Sequence, residues 1–444
     1  MKLYPPPKRY LLVFGTFLLS VLLYVDRVCI QTAKDPILDA LNITANEGNL
    51  ETTVDFSASE EELKKRREKT WGWIGMAFAL GYALLQVPGG LLADRFGPRM
   101  LLTAVIVLWS LFTGLTAMAW CLLAMLVIRF LFGACEAGAF PGIARAVFSW
   151  FPMKERGAVN GINFSGSRLG AAAALPLVAW MVSNLGWRES FWTLAIVGFG
   201  GAVVWFLWFC NDPAEKKNIQ PAELEYILAH RQKVEPQQEA QKLKTYTMLS
   251  SKNMWLIMAQ YFASNFTFFF CLHWALPYFK DTYKLQIVAA GLILSLPFLG
   301  GASGNWISGW LVDRIYRQGK WKQSRMVPAI IGFSMATVGI STFVFMKNPY
   351  VAIVCLTLAI FGADMTLSPS WSTCVDIGKK HAGAISGTMN MAGNIGSVVT
   401  VLAFPYLTAW TGSAKPYFIL AGCLNIVAIS AWLLIKPDHS LEDY

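Results

Sequence analysis

Charge is scarce in this sequence: only 14% of its residues are Asp, Glu, Lys or Arg, whereas soluble domains carry about a quarter. Its eight cysteines are scattered and include no CxxC pair, which argues against a disulfide framework or a cysteine metal site and favours buried free thiols. No P-loop signature (GxxxxGK followed by Ser or Thr) is present for ATP. We also find no catalytic constellation in a soluble segment, and we expect neither an enzyme nor a metal or organic cofactor site.

Long apolar runs make up most of the chain. Hydrophobic residues occupy 55% of the 444 positions and the mean hydropathy is +0.46. Apolar runs of about 20 residues, the length of a membrane-spanning helix, recur throughout. We therefore predict an all-α, polytopic membrane protein. The net charge of +10 reflects basic loops on one side of the membrane and does not indicate nucleic-acid binding.

Twelve of these runs are predicted to span the membrane. An even number places both termini on one side, and the excess of Lys and Arg in the terminal segments and alternate loops predicts that this side is the cytoplasm. The first run could be a signal peptide, but Asp26 and Arg27 stand where small residues would be needed for cleavage, so we expect a retained helix. The predicted spans are 10–33, 71–92, 100–118, 120–149, 157–183, 190–210, 251–279, 286–312, 325–346, 349–374, 382–408 and 415–436.

Internal repeats divide the chain into two halves. GLLADRFGPR at Gly90–Arg99 has a shorter counterpart, GWLVDRIYR, at Gly309–Arg317, and GAVNGINFSGSRLG at Gly157–Gly170 aligns with GAISGTMNMAGNIG at Gly383–Gly396. We therefore predict duplicated six-helix bundles that hold a substrate between them near the membrane midplane. The predicted units are an N-terminal bundle at 1–210 with an extracytoplasmic loop at 34–70, a cytoplasmic linker at 211–250, and a C-terminal bundle at 251–444.

The predicted 34–70 loop contains a signal for a helix start. Ser59 followed by Glu62 forms a capping box, so the segment is expected to extend the second span outwards as a soluble lid or spacer, with partner binding as the alternative. Asn42-Ile43-Thr44 matches a glycosylation acceptor, although such triplets are common by chance.

Two predicted spans carry charges at a depth that should lie in lipid. Arg129 and Glu136 are two helical turns apart in the fourth span and therefore lie on one face. Because an unpaired charge at bilayer depth costs at least about 3 kcal/mol, such residues usually face a polar cavity. Asp26 and Arg27 in the first span diverge by roughly 100° and each needs a partner, in this cavity or at the outer end of the helix. Cations and acids aimed into a membrane cavity predict a proton-driven anion carrier.

The first repeat resembles the loop motif of the major facilitator superfamily of transporters. In this motif Gly90 permits close helix approach, Asp94 can cap the start of the next helix, and the arginines stay in the cytoplasm. The resemblance implies a role in conformational switching and says nothing about substrate. The residues assigned to this motif and its second copy are Gly90, Asp94, Arg95, Gly97, Arg99, Asp313 and Arg314.

A narrower resemblance is to the anion:cation symporter family, which includes bacterial sugar-acid (hexuronate) carriers, vesicular glutamate carriers and sialin. The most specific piece is the fourth span, where Arg129, Glu136 and Pro141 stand at the family spacing. The other matching pieces are Tyr24-Val25-Asp26-Arg27, Trp150-Phe151-Pro152 ahead of Glu155-Arg156-Gly157, and Gly186-Trp187-Arg188.

The resemblance implies roles for these residues. Arg27 would hold the substrate carboxylate in its planar fork. Arg129 would pair with Asp26, while Glu136 and Asp26 would bind protons outside and release them inside. Polar and aromatic side chains would contact the hydroxyl groups of a sugar acid. The resemblance gives four of these candidates, Tyr24, Tyr82, Trp371 and Asn390, and helical spacing adds Asn394.

One position departs from the family. Where sugar-acid carriers have a glutamine near Ser167, this chain has Ser167-Arg168. Arg168 could bind a second carboxylate or a phosphate on the substrate, reach towards the membrane interface, or face the other half; we include Ser167 and Arg168 among the candidate substrate-binding residues. His273 is expected to be a packing residue more than a proton carrier. Asp364 is a further intramembrane acid and a candidate proton relay or cation site.

Together these features predict a monomeric carrier in a bacterial inner membrane that imports an organic anion, a sugar acid or another carboxylate, in symport with protons. Exchange of organophosphate for phosphate, or of dicarboxylates, is the alternative transport reaction. A transporter-like ligand sensor is an alternative from another class, and only the 34–70 loop or the 211–250 linker could serve it as a partner-binding segment.

Overall fold

A computed structural model describes residues 7–41, 60–232, 245–284 and 293–438, and the regular structure in these ranges is helical throughout. Two short 3-10 turns, at Pro213–Glu215 and Lys379–His381, accompany the α-helices. The α-helices are α1 Lys8–Thr32, α2 Lys34–Ala40, α3 Glu60–Ala117, α4 Leu122–Glu136, α5 Ala139–Trp150, α6 Arg156–Leu185, α7 Trp187–Trp208, α8 Pro221–His230, α9 Thr245–Ser250, α10 Lys252–His273, α11 Ala275–Tyr283, α12 Ser295–Arg317, α13 Trp321–Phe343, α14 Pro349–Met365, α15 Leu367–Gly378, α16 Ala382–Thr411 and α17 Lys415–Leu434.

Apolar helices long enough to cross a membrane run through the described ranges. Eight helical runs meet this condition there, and a ninth is added if Arg156–Ala174 and Pro176–Leu185, which meet at 41°, count as one bent span. Two runs, Arg66–Ala117 with 52 residues and Pro349–Thr411 with 63, exceed twice the roughly 20 residues of one crossing. In the first of them, Gly97 leaves the helical conformation with φ of 76°. The prediction of an all-α, multi-pass membrane protein is confirmed.

The predicted fourth and tenth spans are each divided into two helices. The fourth breaks between α4 and α5, and the tenth between α14 and α15. Pro141 and Pro369 follow these breaks and cannot donate a backbone hydrogen bond to the carbonyl groups of Ala137 and Met365, so the helix is interrupted there. The freed carbonyl oxygen of Met365 accepts a hydrogen bond from the hydroxyl group of Ser308 on α12. The prediction of one continuous helix for each of these spans is wrong, because the apolar pattern does not show this effect of proline.

The two halves meet through backbone contacts at two helix crossings. Where α3 meets α16, a methyl group on Gly90 would overlap the carbonyl oxygen of Gly383. Where α12 meets α6, a methyl group on Gly309 would lie 2.6 Å from the carbonyl oxygen of Gly157. Glycine is required at both crossings because no side chain fits between the helices. We call the end of the molecule that carries Asp94, Asp313 and helix α8 the linker end.

Helix α8 joins the predicted linker to the N-terminal half. The Glu223 carboxylate accepts hydrogen bonds from the backbone amides of Lys8 (2.8 Å) and Arg9 (3.0 Å), and so it caps α1. The Tyr226 hydroxyl donates to Glu155 Oε1 (2.7 Å), and burial together with that contact raises the pKa of Tyr226, which keeps it a donor. Part of the predicted linker, 233–244, lies outside the described residues.

Ion pairs hold short helix α2 against the outer turns of α3. Lys34 Nζ lies 2.8 Å from Glu68 Oε1, and Arg67 Nη1 lies 2.6 Å from Asp39 Oδ1. The apolar side of α2 is buried, with Ile37 fully covered. The predicted capping box and the glycosylation triplet lie outside the described residues.

Candidate functional site

Six charged side chains lie in the middle of the bundle, and we call them the central cluster. They come from helices of both halves: α1, α4 and α6 in the N-terminal half and α14 in the C-terminal half. Each is buried except Arg27, whose side chain keeps 15% of its surface exposed. The members are Asp26, Arg27, Arg129, Glu136, Arg168 and Asp364.

Arg27 forms the first ion pair of the cluster. Its Nε donates to Glu136 Oε1 at 2.7 Å. Three aromatic rings surround the guanidinium group, with ring centroids 4.3 Å away for Tyr82, 5.2 Å for Tyr24 and 5.4 Å for Phe78. Within the described ranges, the buried Nη2 makes no hydrogen bond, and neither does Glu136 Oε2. The fork of Arg27 is therefore oriented but has donor capacity left for an anion.

Asp26 and Arg129 are buried but form no ion pair with each other in the part of the chain that is described. Both carboxylate oxygens of Asp26 lack a hydrogen-bond partner there, as does Arg129 Nε. Arg129 lies over the rings of Phe132 (4.5 Å) and Phe78 (5.2 Å) and still interacts electrostatically with Asp26. The predicted contact between Arg129 and Asp26 is therefore wrong in this conformation. Glu136 instead neutralises Arg27, because Arg27 points from α1 towards the same face of α4.

Arg168 faces the other half, one of the three orientations that the sequence left open. Its Nε and Nη2 donate to Asp364 Oδ2 (2.7 Å) and Oδ1 (2.6 Å), a bidentate pair between α6 and α14. Its Cζ lies 3.6 Å from the ring centroid of Phe268, and its Nη1 lies 3.5 Å from the hydroxyl oxygen of Tyr24. Arg168, the departure from the family, and Asp364, the further intramembrane acid, are thus partners of each other.

Two of the candidate polar residues connect the halves beside the cluster. The Asn390 amide donates to Gln86 Oε1 at 2.9 Å and lies 3.5 Å from the Tyr82 hydroxyl. Trp371 donates its indole N–H to the hydroxyl oxygen of Tyr261 at 3.0 Å. The Trp371 ring also packs against Phe140 and Phe164 of the N-terminal half. Tyr82, Asn390 and Trp371 therefore border the same interface as the charged groups.

Other candidates are turned away from this interface or satisfied locally. The Ser167 hydroxyl donates to the carbonyl oxygen of Phe164 (2.6 Å), and the Asn394 amide donates to that of Asn390 (2.8 Å), each within its own helix. His273 is exposed on the surface of the bundle and stacks on Phe269. This position agrees with a packing role for His273 and separates it from the central cluster.

Several neighbours of the central cluster were not predicted from the sequence. Gln86 is an isolated amide in an apolar run, a signal that could have identified it. Phe78, which covers both Arg27 and Arg129, gave no signal because it is one of 29 phenylalanines. Trp109 lies near Asp26 and was equally hidden among apolar residues.

The switch motif forms two matching contacts at the linker end. Asp94 accepts hydrogen bonds from the backbone amides of Gly383 (2.9 Å) and Ala384 (2.8 Å), at the start of α16. Asp313 accepts from the backbone amides at positions 157 and 158, both at 2.9 Å, at the start of α6. We call these contacts the two carboxylate latches. The prediction that Asp94 caps the next helix along the chain is wrong: each aspartate caps a helix of the opposite half, where the amides point towards it.

The other motif residues surround the latches. The Arg99 guanidinium donates to the carbonyl oxygen of Phe206 at the end of α7. Arg95 and Arg314 are exposed and lie over the rings of Phe96 and Trp310.

A third inter-half contact, the Asp376 cluster, lies beside the latches. Asp376 Oδ1 accepts from Arg156 Nη1 (2.6 Å) of the N-terminal half, and Oδ2 accepts from Arg325 Nε (2.9 Å). The side chains of all three are fully buried. Gln232 of the linker accepts from Arg156 (2.9 Å) and donates to the carbonyl oxygen of Asp376 (2.9 Å). The linker is therefore part of the contact between the halves.

Comparison with known proteins adds relatives of similar length. The family described as Major Facilitator Superfamily matches residues 16–401. The probable sulfoacetate transporter of Cupriavidus necator is 30% identical over 430 residues, covering 97% of this chain and 94% of that protein. The probable galactarate/D-glucarate transporter of Escherichia coli K12 is 28% identical over 451 residues, covering 97% and 95%. The hexuronate transporter of Bacillus subtilis is 27% identical over 428 residues, covering 95% and 93%.

Solved structures share the same architecture. A proton:xylose symporter superposes with a TM-score of 0.73 at 15% identity, covering 97% of both chains. The human organic anion transporter MFSD10 superposes with a TM-score of 0.68 at 15% identity, covering 97% of this chain and 100% of that one. Identities this low establish the fold and carry no information on substrate.

Proposed function

Because the chain belongs to the major facilitator superfamily, we propose that it imports an organic anion together with protons by alternating access. The sequence-based identification of this superfamily, with bacterial sugar-acid and anion carriers as relatives, is confirmed. The chain is a transporter and not an enzyme. The proposed substrate is a sugar acid or another carboxylate, in keeping with the sulfoacetate, galactarate/D-glucarate and hexuronate carriers it resembles.

The environment of Arg27 is the observation that carries the proposal. A guanidinium group held by three rings and one acid at the middle of a membrane protein has lost most of its water, so a bound anion would interact with it strongly. Its remaining Nη2 donor has no partner among the described residues and suits one oxygen of a carboxylate. Tyr24, Tyr82, Asn390 and Trp371 lie close by and would meet the hydroxyl groups of a sugar acid.

Charge balance supports proton coupling. With all six members ionised, the central cluster holds three cations and three anions and is neutral as a whole. A bound monoanion would leave it negative, and one proton on an acid would restore neutrality. Glu136 is the natural acceptor, because its protonation would also release Arg27 from the 2.7 Å ion pair for the substrate. Asp26, with two unpartnered oxygens in the described structure, is the second candidate.

Alternating access would proceed by rocking of the two halves. We propose twelve crossings, with the 52- and 63-residue runs each crossing more than once and the bent helix α6 and helix α12 crossing once each. The linker end would then lie in the cytoplasm, with both termini, in a bacterial inner membrane. The carboxylate latches and the Asp376 cluster would close this end while the central cluster is reached from the outside. No ligand other than substrate and proton is needed, and a monomer suffices.

Anion exchange is the second candidate, and the number of arginines favours it. Arg27, Arg129 and Arg168 could together clamp a phosphate or dicarboxylate without a proton. In that case transport would require an anion on the opposite side of the membrane.

Uptake into proteoliposomes tests the proposal. The purified carrier is reconstituted, and uptake of labelled galactarate is followed with and without an imposed pH gradient, acidic outside. We expect accumulation above the external concentration that depends on the gradient and is abolished by a protonophore. Uptake that does not depend on the pH gradient but requires liposomes preloaded with phosphate or dicarboxylate would indicate exchange instead.

A further inference from the structure

The ion pair between Arg168 and Asp364 leaves part of the guanidinium group unused. Asp364 occupies Nε and Nη2, which form one edge of the planar group. The remaining terminal nitrogen, Nη1, has a 3.5 Å contact to the Tyr24 hydroxyl, which is at the limit of a hydrogen bond. Phe268 covers one face of the plane at 3.6 Å. Arg168 is therefore held by Asp364 and Phe268, and its Nη1 makes only the long contact to Tyr24.

Arg168 and Arg27 lie on either side of one side chain. The ring of Tyr24 is 5.2 Å from the Arg27 guanidinium carbon, and its hydroxyl is 3.5 Å from Arg168 Nη1. Each arginine is also bound by an internal acid through a different edge, Glu136 for Arg27 and Asp364 for Arg168. Each acid leaves part of its guanidinium group unused: Arg27 Nη2 has no partner among the described residues, and Arg168 Nη1 makes only the long contact to Tyr24. Two oriented cations flanking one tyrosine form a site for two negative groups on one molecule.

We propose that Arg168 binds the second anionic group of a dianionic substrate, a dicarboxylate or a sulfonate–carboxylate, whose first carboxylate is bound by Arg27. This inference rests on the proposed function and specifies its substrate class. Asp364 does not touch the substrate: it is a positioning residue that holds the guanidinium plane so that Nη1 points towards Tyr24.

The surroundings of Asp364 fit a positioning role. Asp364 is 1% exposed, and α12 approaches it so closely that a methyl group on Gly301 would overlap its Oδ2. A carboxylate seated against a glycine backbone has little freedom to move. The bidentate contact therefore transmits a fixed position from α14 to the guanidinium group on α6. An arginine on a flexible side chain would otherwise lose entropy on binding, and this preorganisation reduces that loss.

Hydrogen bonding favours a dianion over a monoanion when Glu136 and Asp26 both bind protons, because two bound negative charges would otherwise leave the neutral cluster two charges negative. Asp364 balances Arg168 before substrate binds, so a monoanion on Arg27 gains little from Arg168. A second anionic group at the Nη1 edge adds a charge-assisted hydrogen bond in a water-poor environment. The expected preference for a diacid over the matching monoacid is at least about tenfold in affinity.

Calorimetric titration of the purified full-length carrier tests the inference with two matched ligands, galactarate and its six-carbon monoacid, galactonate. We expect the unmodified protein to bind the diacid at least about tenfold more tightly. In Arg168→Gln the diacid should lose more affinity than the monoacid, so that the two dissociation constants agree within about twofold. A preference that survives in Arg168→Gln, or one that is absent from the unmodified protein, overturns the inference alone. If the unmodified protein binds neither acid, the proposed function fails as well.

A charge swap separates ligand binding from a purely structural role. In the double variant Arg168→Asp with Asp364→Arg, the ion pair between the halves can reform. The guanidinium group is then attached to α14 instead of α6, so its free nitrogen no longer has the position that it has beside Tyr24. If Arg168 only joins the halves, the swap should restore both melting temperature and diacid preference. We expect monoacid binding to be retained and the diacid preference to stay lost. Asp364→Asn should weaken diacid binding several-fold relative to monoacid binding, as a positioning role requires.

Discussion

Buried carboxylates have different surroundings at the linker end and in the central cluster. At the linker end, Asp94 and Asp313 each use both oxygens on backbone amides, and Asp376 uses both on arginines. In the central cluster, Asp364 uses both oxygens on Arg168, but Asp26 has no hydrogen-bond partner and Glu136 uses one oxygen, within the described residues. Satisfied carboxylates hold a conformation, whereas carboxylates with unused capacity can exchange a proton or a ligand.

The largest effect is expected for an acid of the central cluster. Glu136→Gln keeps the size of the side chain but cannot release a proton. We expect gradient-driven accumulation of substrate to be abolished, while counterflow exchange of labelled for unlabelled substrate continues. Both are measured in proteoliposomes. Normal accumulation would remove Glu136 as the coupling residue.

An acid of the linker end should affect stability instead of coupling. Asp376→Asn leaves Arg156 and Arg325 buried without their charge partner, which should cost about 3 kcal/mol or more of the free energy of unfolding. The exposed pair of Asp212 and Arg231, with side chains 39% and 31% exposed, provides a control. Asp212→Asn should cost less than about 1 kcal/mol. Denaturant unfolding in detergent measures the free energy of unfolding of both variants. Equal losses would contradict a stabilising role for Asp376.

The fork of Arg27 should matter more than its charge. Arg27→Lys replaces a planar group by a point charge, and we expect substrate affinity to fall by about 2 kcal/mol, or about thirtyfold. Arg145→Lys at the linker end, where Arg145 lies 3.9 Å from Asp94, should leave affinity unchanged. Titration calorimetry with galactarate measures both. Near-normal affinity in Arg27→Lys would mean that the substrate carboxylate is not bound by Arg27.

The smallest predicted effects should be equal for the two latches. Asp94→Asn and Asp313→Asn each remove the charge at a helix N-terminus and one hydrogen bond, at a cost of about 1 kcal/mol. Hydrogen exchange read by mass spectrometry should show about fivefold faster exchange at the Gly383 and Ala384 amides in the first variant. The second variant should show the same increase at positions 157 and 158. A response at only one latch would break the symmetry between the halves.

The helices and the charged residues were predictable from the sequence because they leave local patterns. Runs of about 20 apolar residues and charges two turns apart are visible without knowledge of any partner. The repeated motifs likewise placed Asp94 and Asp313 in equivalent positions. These patterns located Asp26, Arg27, Arg129 and the other charges of the central cluster.

The partners of these residues could not be predicted, because pairing depends on how distant helices pack. Asp26 and Arg129 looked complementary, yet Glu136 bonds to Arg27. Asp94 was expected to cap a neighbouring helix, but the amides that meet it lie 289 and 290 residues further along the chain. The sequence left three orientations open for Arg168, and only the packing of the helices brings Asp364 on α14 within reach of it.

The glycine crossings have a consequence for the proposed motion between the halves. Most packed helices interlock side chains as ridges and grooves, and these must separate before the helices can turn. At Gly90 with Gly383, and at Gly157 with Gly309, bare backbone touches bare backbone. The backbone contacts themselves contain no rotamers that must change, so we expect the carboxylates that close each crossing to contribute most of the barrier to reorientation.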